Sequence, residues 1–134
     1  MLDTTHKIIA GVVLLAVITV AYGGTFVLRV MRGQFPANDL QKSFFRAGHA
    51  HAAVLIILGL VVMILVENND VAEPLASLST GVLWAAILMP AGFFLSVTGA
   101  NPRRPNRLII LLWLGAAVLT IGLLAAGIGL IAAA

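Results

Sequence analysis

The sequence predicts an all-α integral membrane protein, a four-helix bundle with both termini outside, and three observations carry that reading. The 134-residue chain is 61% hydrophobic and 10% charged, with a mean hydropathy of +1.10. Soluble domains carry about 25% charged residues, and a chain with so few cannot clothe a water-facing surface. The apolar residues fall into four runs, each long enough to cross a bilayer of ~30 Å at ~1.5 Å per residue. Finally, seven of the eight basic residues sit in two of the three connecting regions.

The first span covers about 6–30. Its apolar part is too long for a signal-peptide core, and no small-residue cleavage site precedes a polar mature region, so it is expected to be retained. The second span, about 44–66, reads FFRAGHAHAAVLIILGLVVMILV. ENNDVAEP marks the following loop, where Pro74 suits the first turn of the next helix. The third span covers about 75–98 and contains Pro90, which removes a backbone hydrogen bond and frees the carbonyl of Ala86. A kink is therefore expected at MPAGFF, serving packing or shaping a cavity. After the breaker-rich GANPRRPN, the fourth span covers about 108–132.

The whole of 1–134 reads as a single transmembrane domain, without a repeat between its halves. Gly11, Gly23 and Gly24 punctuate the first span; Gly115, Gly122, Gly127 and Gly129 punctuate the fourth. Small residues let membrane helices approach closely, so these faces predict tight packing within the chain, or in a homo-oligomer or larger membrane complex.

Arg29, Arg32, Lys42 and Arg46 lie in and around the first connection, and Arg103, Arg104 and Arg107 in the third. The second holds Glu67, Asp70 and Glu73 with no basic residue, and the amino terminus offers only Lys7. Positive loops stay in the cytoplasm, which puts the acidic loop and both termini outside. The net charge of +3 and pI near 10.2 then reflect topology, and the lipid bilayer rather than nucleic acid is the expected partner. Arg103, Arg104 and Arg107 also suit anionic headgroups or a phosphate. The absence of cysteine excludes disulfides, thiolate metal sites and redox dithiols.

His49 and His51 are the candidate site. An ionisable group inside a membrane helix is costly, so by default it points to function. Both lie ~8–11 Å inside the second span, and Tyr22, Thr25, Ser96 and Trp113 fall at matching depth in the others. Thr19, Tyr22, Phe26 and Arg29 share one helix face, so a polar pocket is expected at that level. Neutral imidazole ligates Zn, Cu, Fe, Ni or haem iron, which makes His49 and His51 candidate metal ligands. Residues i and i+2 point about 200° apart, so a regular helix cannot offer both to one ion. Either one binds alone, or the helix distorts at Gly48, or the rings face different partners. Hydrogen bonding to a Thr, a Tyr or a neighbouring helix's carbonyl is the structural alternative, and substrate binding or proton transfer another. His6 is expected at the outer interface, solvated. Trp84 and Trp113 suit either the interface or the core.

Two resemblances extend this reading. Arg46, Ala47 and His49, with Asn101, Pro102 and Arg103 ahead of the last span, resemble the membrane-associated proteins of eicosanoid and glutathione metabolism. That family forms trimers of four-helix subunits, and the likeness implies a glutathione site near Arg46 and Arg103 at a subunit interface. His51 and Val54 stand where the family pattern has Asn and Glu. Locally, HAHAAVLIILG resembles the His-x-His helices of proteins related to haem-copper oxidases, which implies haem or metal ligation. GHAHA and PAGFF look like small bacterial membrane proteins, so a multi-pass place in the bacterial plasma (inner) membrane is expected.

Three functions follow as expectations. The first is a small membrane binding or accessory protein whose His49/His51 layer holds a metal, haem or small ligand. The second is a glutathione-dependent enzyme acting on lipophilic substrates, and the third a small proton-linked transporter or channel. The absence of a carboxylate within the spans weighs against cation-coupled transport.

Overall fold

The computed structural model describes residues 2–134. Its helices are α1 (Thr4–Met31), α2 (Asp39–Asn68), α3 (Leu75–Ser79), α4 (Gly81–Leu95) and α5 (Ile110–Ala132), with a 3-10 turn at Arg107–Ile109 leading into α5. Because α3 and α4 share one span, four segments are long and apolar enough to cross a membrane. The protein is an all-α four-helix bundle.

Local chemistry sets the helix ends. Asp3 caps α1 by accepting the His6 backbone N–H at 2.7 Å. At the other end Gly33 takes φ +71°, and the N–H groups of Gly33 and Gln34 return to the carbonyls of Val30 and Arg29. A reciprocal capping box between Asn38 and Gln41 starts α2 at Asp39, five residues before the apolar run. Hydropathy locates the part of a helix that lies in lipid; the cap locates its beginning. The third span ends at Leu95 rather than Thr98, because Asn106 takes the Leu95 carbonyl with its side chain and the Ser96 carbonyl with its backbone N–H.

The third span is also interrupted ahead of Pro90. Helix α4 runs through the buried Pro90, and the break lies at Thr80, between α3 and α4. At that break Gly81 lies so close to α5 that an added Cβ would sit 2.5 Å from the Val118 carbonyl oxygen.

The core is a seam of small and branched residues. On α2 the buried positions Gln41, Phe45, Gly48, Leu55, Gly59, Val62 and Val66 recur at steps of three, four or their sum of seven, the spacing of a left-handed helix pair. On α4 Val82, Ala85, Met89 and Gly92 do the same, and on α5 Gly115, Gly122 and Gly129 recur every seven residues. A Cβ on Gly115 would lie 2.9 Å from the Met89 nitrogen, and one on Gly122 2.8 Å from the Val82 nitrogen. Close packing, expected for the fourth span, is thus built within the chain at these three glycines, while Gly127 faces outward with nothing near it.

Helix α1 is held differently. It packs along α2 and makes no comparable contact with α4 or α5, and Val30 is its single buried residue.

Candidate functional site

The two membrane histidines reach neighbouring helices, but not the same one. His49 faces α1, where its Nε2 and Nδ1 lie 3.2 and 3.7 Å from the positions a Cβ would take on Gly24 and Gly23. Those glycines form a notch for a half-buried imidazole. One residue pair further on, the His51 ring turns to α4 and lies 4.9 Å from the Phe93 ring. Its Nδ1 is 2.8 Å from the Ala47 carbonyl, one turn back on its own helix. Helix geometry alone separates the rings, as i, i+2 spacing requires.

The remaining polar residues at that depth do not line one pocket. Tyr22 is 73% exposed and Trp113 64% exposed. The Thr25 hydroxyl donates to the Tyr22 carbonyl at 2.7 Å, and the buried Ser96 hydroxyl turns to the Phe93 carbonyl. Hydroxyls in apolar helices satisfy themselves on the preceding turn and need no partner across the bundle. Arg46 is exposed, as are Asn101 and Arg103 in the third connection, and Trp84 faces outward.

Near the basic end the structure is a clamp. All six phenylalanines gather there. Phe26 lies edge-on to Phe35 and Phe45 at 5.3 Å, Phe45 stacks on Phe94 at 5.5 Å, and Phe44 meets Phe93 at 5.6 Å. The buried Gln41 amide donates to the Val97 and Gly99 carbonyls, each at 3.1 Å, and Asn38 donates to Asn101 and to the Pro102 carbonyl. These amides tie the two basic connections together. The cleft beside them, about 860 Å³ and open, is lined by apolar and amide groups such as Phe35, Pro36, Asn38 and Gln41, with the Thr98 hydroxyl.

Chemistry concentrates at the acidic end. A cleft of about 520 Å³ opens between the first turns of α1, the last turns of α2, and α3. Its polar rim carries His6, Glu67, Asp70, Glu73, Ser77 and Thr80 over an apolar floor that includes Ile9, Met63 and Leu83. His6, expected to be solvated, is instead half-buried: its Nδ1 lies 2.8 Å from Asp3 Oδ1 and 3.4 Å from Glu67 Oε2. The reason is the cap, which fixes Asp3 over the first turn of α1 and brings His6, one turn on, against α2. The His6 backbone N–H, and then its ring, hold the Asp3 carboxyl below its ordinary value of 3.8.

Asp3, His6 and Glu67 together could hold a metal ion, their ligand atoms all lying within 4.8 Å of one another. Sequence reasoning missed this trio because two spans of chain separate Asp3 from Glu67. The one available signal was that both fall at the ends of apolar runs on the same predicted side. Comparison with protein-family models, curated proteins and solved structures finds no match to this chain.

Proposed function

We propose that the protein is a small multi-pass membrane binding protein whose ligand is a cation held at the acidic end of the bundle. One observation carries the reading: four of the chain's five acidic residues, with His6, gather around one cleft. No Lys or Arg is among the described residues that line it. A cation entering such a cleft feels several carboxylates where apolar walls focus their field. The excess of basic residues at the opposite end supports placing this cleft on the outer face, with the basic connections in the cytoplasm of a bacterial cell.

The test is thermal unfolding of the detergent-purified protein against a panel of inorganic and organic cations. At least one cation class is expected to raise Tm, and Asp70→Asn combined with Glu73→Gln to diminish the effect. A panel without any shift would end this reading.

A second reading keeps His49 as the functional group, and its half-buried place in the Gly23–Gly24 notch supports it. A haem or transition metal there would take one imidazole from this chain, since the His51 ring turns to Phe93 on α4 and away from the notch. A Soret band or stoichiometric metal that disappears in His49→Ala is the outcome expected of it. The geometry adds nothing to the glutathione reading, with Arg46 and Arg103 exposed, nor to a proton path, with the imidazoles facing different helices.

A further inference from the structure

We propose that Asp3, His6 and Glu67 form a binding site for a first-row divalent transition metal of the Zn²⁺ class, and that the ion fastens α1 to α2 at the mouth of the acidic cleft. The inference deepens the cation reading and rests on it.

The donor set selects the metal. One imidazole nitrogen with two carboxylates suits Zn²⁺ and its neighbours, whereas Ca²⁺ and Mg²⁺ prefer shells made of oxygen alone. Distances agree. Two ligand atoms of a tetrahedral site with bonds of ~2.1 Å lie about 3.4 Å apart. His6 Nδ1 and Glu67 Oε2 are separated by 3.4 Å already. His6 Nδ1 and Asp3 Oδ1, at 2.8 Å, need a small opening. The ion would take the place of the proton those two atoms now share.

Electrostatics on α2 also point to a cation. Glu67 stands in the last turn of α2 and Asp70 just beyond it, with no basic residue in that turn. Carboxylates at a helix C-terminus face the negative end of the helix dipole, which is unfavourable unless a positive charge lies beside them. His6 is the group from α1 that reaches Glu67, and a metal would supply that charge in full. Three protein ligands leave a further position for water, or for a small ligand in the adjoining cleft.

The structural consequence is specific. Helix α1 is held near its basic end by Val30 and the aromatic cluster, whereas His6–Glu67 is its polar link to α2 at the acidic end. A metal there converts a weak polar contact into a coordinate cross-link between two spans.

The experiment uses the full chain in detergent, purified without a polyhistidine tag and stripped with chelator. Zn²⁺ is titrated against a chromophoric competitor, with Ca²⁺ as the control ion. One equivalent of Zn²⁺ is expected to bind, at least tenfold more weakly in His6→Ala and in Glu67→Gln and within about twofold of the parent in Asp39→Asn. Amide exchange over the first turns of α1 is expected to slow with Zn²⁺ in the parent chain but not in Glu67→Gln. Co²⁺ in place of Zn²⁺ is expected to give a visible d–d band that His6→Ala removes. Unchanged Zn²⁺ affinity in both site variants, or equal competition by Ca²⁺, overturns the proposal. If binding survives in those two but is lost in Asp70→Asn with Glu73→Gln, the metal site falls while the cation cleft stands. If no cation binds the parent chain, both fall.

Discussion

Helices α1 and α5 are alike in composition and unlike in how they are held. Each is a long apolar helix carrying several glycines. Gly115 and Gly122 on α5 let the α4 backbone approach closely and Gly129 admits the Val71 side chain, whereas Gly11 on α1 meets nothing. Leu14, Leu15 and Ile18 on α1 are exposed, and Val30 alone is buried. Hydrophobicity does not separate these helices, because lipid is as apolar as a neighbouring helix. What separates them is backbone approach, the dispersion it permits, and the few polar groups that find partners.

The sharpest way to break that contrast is to add side chains to each region. Gly122→Leu must drive atoms into the Val82 backbone, and a loss of about 3 kcal/mol or failure to accumulate is expected in SDS-unfolding titrations. Gly11→Leu should stay within about 0.5 kcal/mol of the parent. Equal losses would mean that α1 is packed as tightly as α5. Truncation probes the same difference from the other side. Leu55→Ala, in the core between α2 and α4, is expected to cost about 2–4 kcal/mol, while Leu15→Ala, at 67% exposure, should be almost silent.

The polar clamp comes next in size. Gln41→Leu leaves the carbonyls of Val97 and Gly99 without their amide donor and should cost about 1–3 kcal/mol, with faster amide exchange across 97–101. A smaller effect is expected when α1 is removed altogether. A chain of residues 38–134 should keep the α2–α4–α5 seam, read as retained far-UV helicity and slow core exchange. Collapse of that fragment would show that α1 is integral to the core.

The smallest effect concerns the α1 cap. Because Asp3 ionises below 3.8 in the folded state, its capping contribution is complete above that value and is lost as pH falls through the lowered folded value. Protection of the His6 amide should follow that titration, and Asp3→Asn, which caps without ionising, should abolish the dependence.

Much of the fold was legible because lipid demands it. Four apolar runs with separating breakers locate the spans, and the glycines of the last run mark it as closely packed, although only the structure separates Gly115, Gly122 and Gly129 from the outward Gly127. The break at Thr80 was not legible, since nothing in LASLSTGVLW announces it as Pro90 announces a kink. Of the candidate site, the sequence placed His49 and His51 on the second span and left open what they face. It did not bring Asp3 and His6 to Glu67, because that contact depends on how far α1 extends beyond its apolar run before it is capped.

By itself the sequence determined the class, the number of spans and the segregation of charge into an acidic and a basic end. Those properties follow from the cost of placing polar groups in hydrocarbon, which is paid residue by residue along the chain. Only the tertiary structure decided which helix each face meets, because in an apolar solvent every side of a helix looks alike until backbones touch. It turned His49 into a glycine notch, set His51 against Phe93, and drew Asp3, His6 and Glu67 from opposite ends of two spans into one cluster.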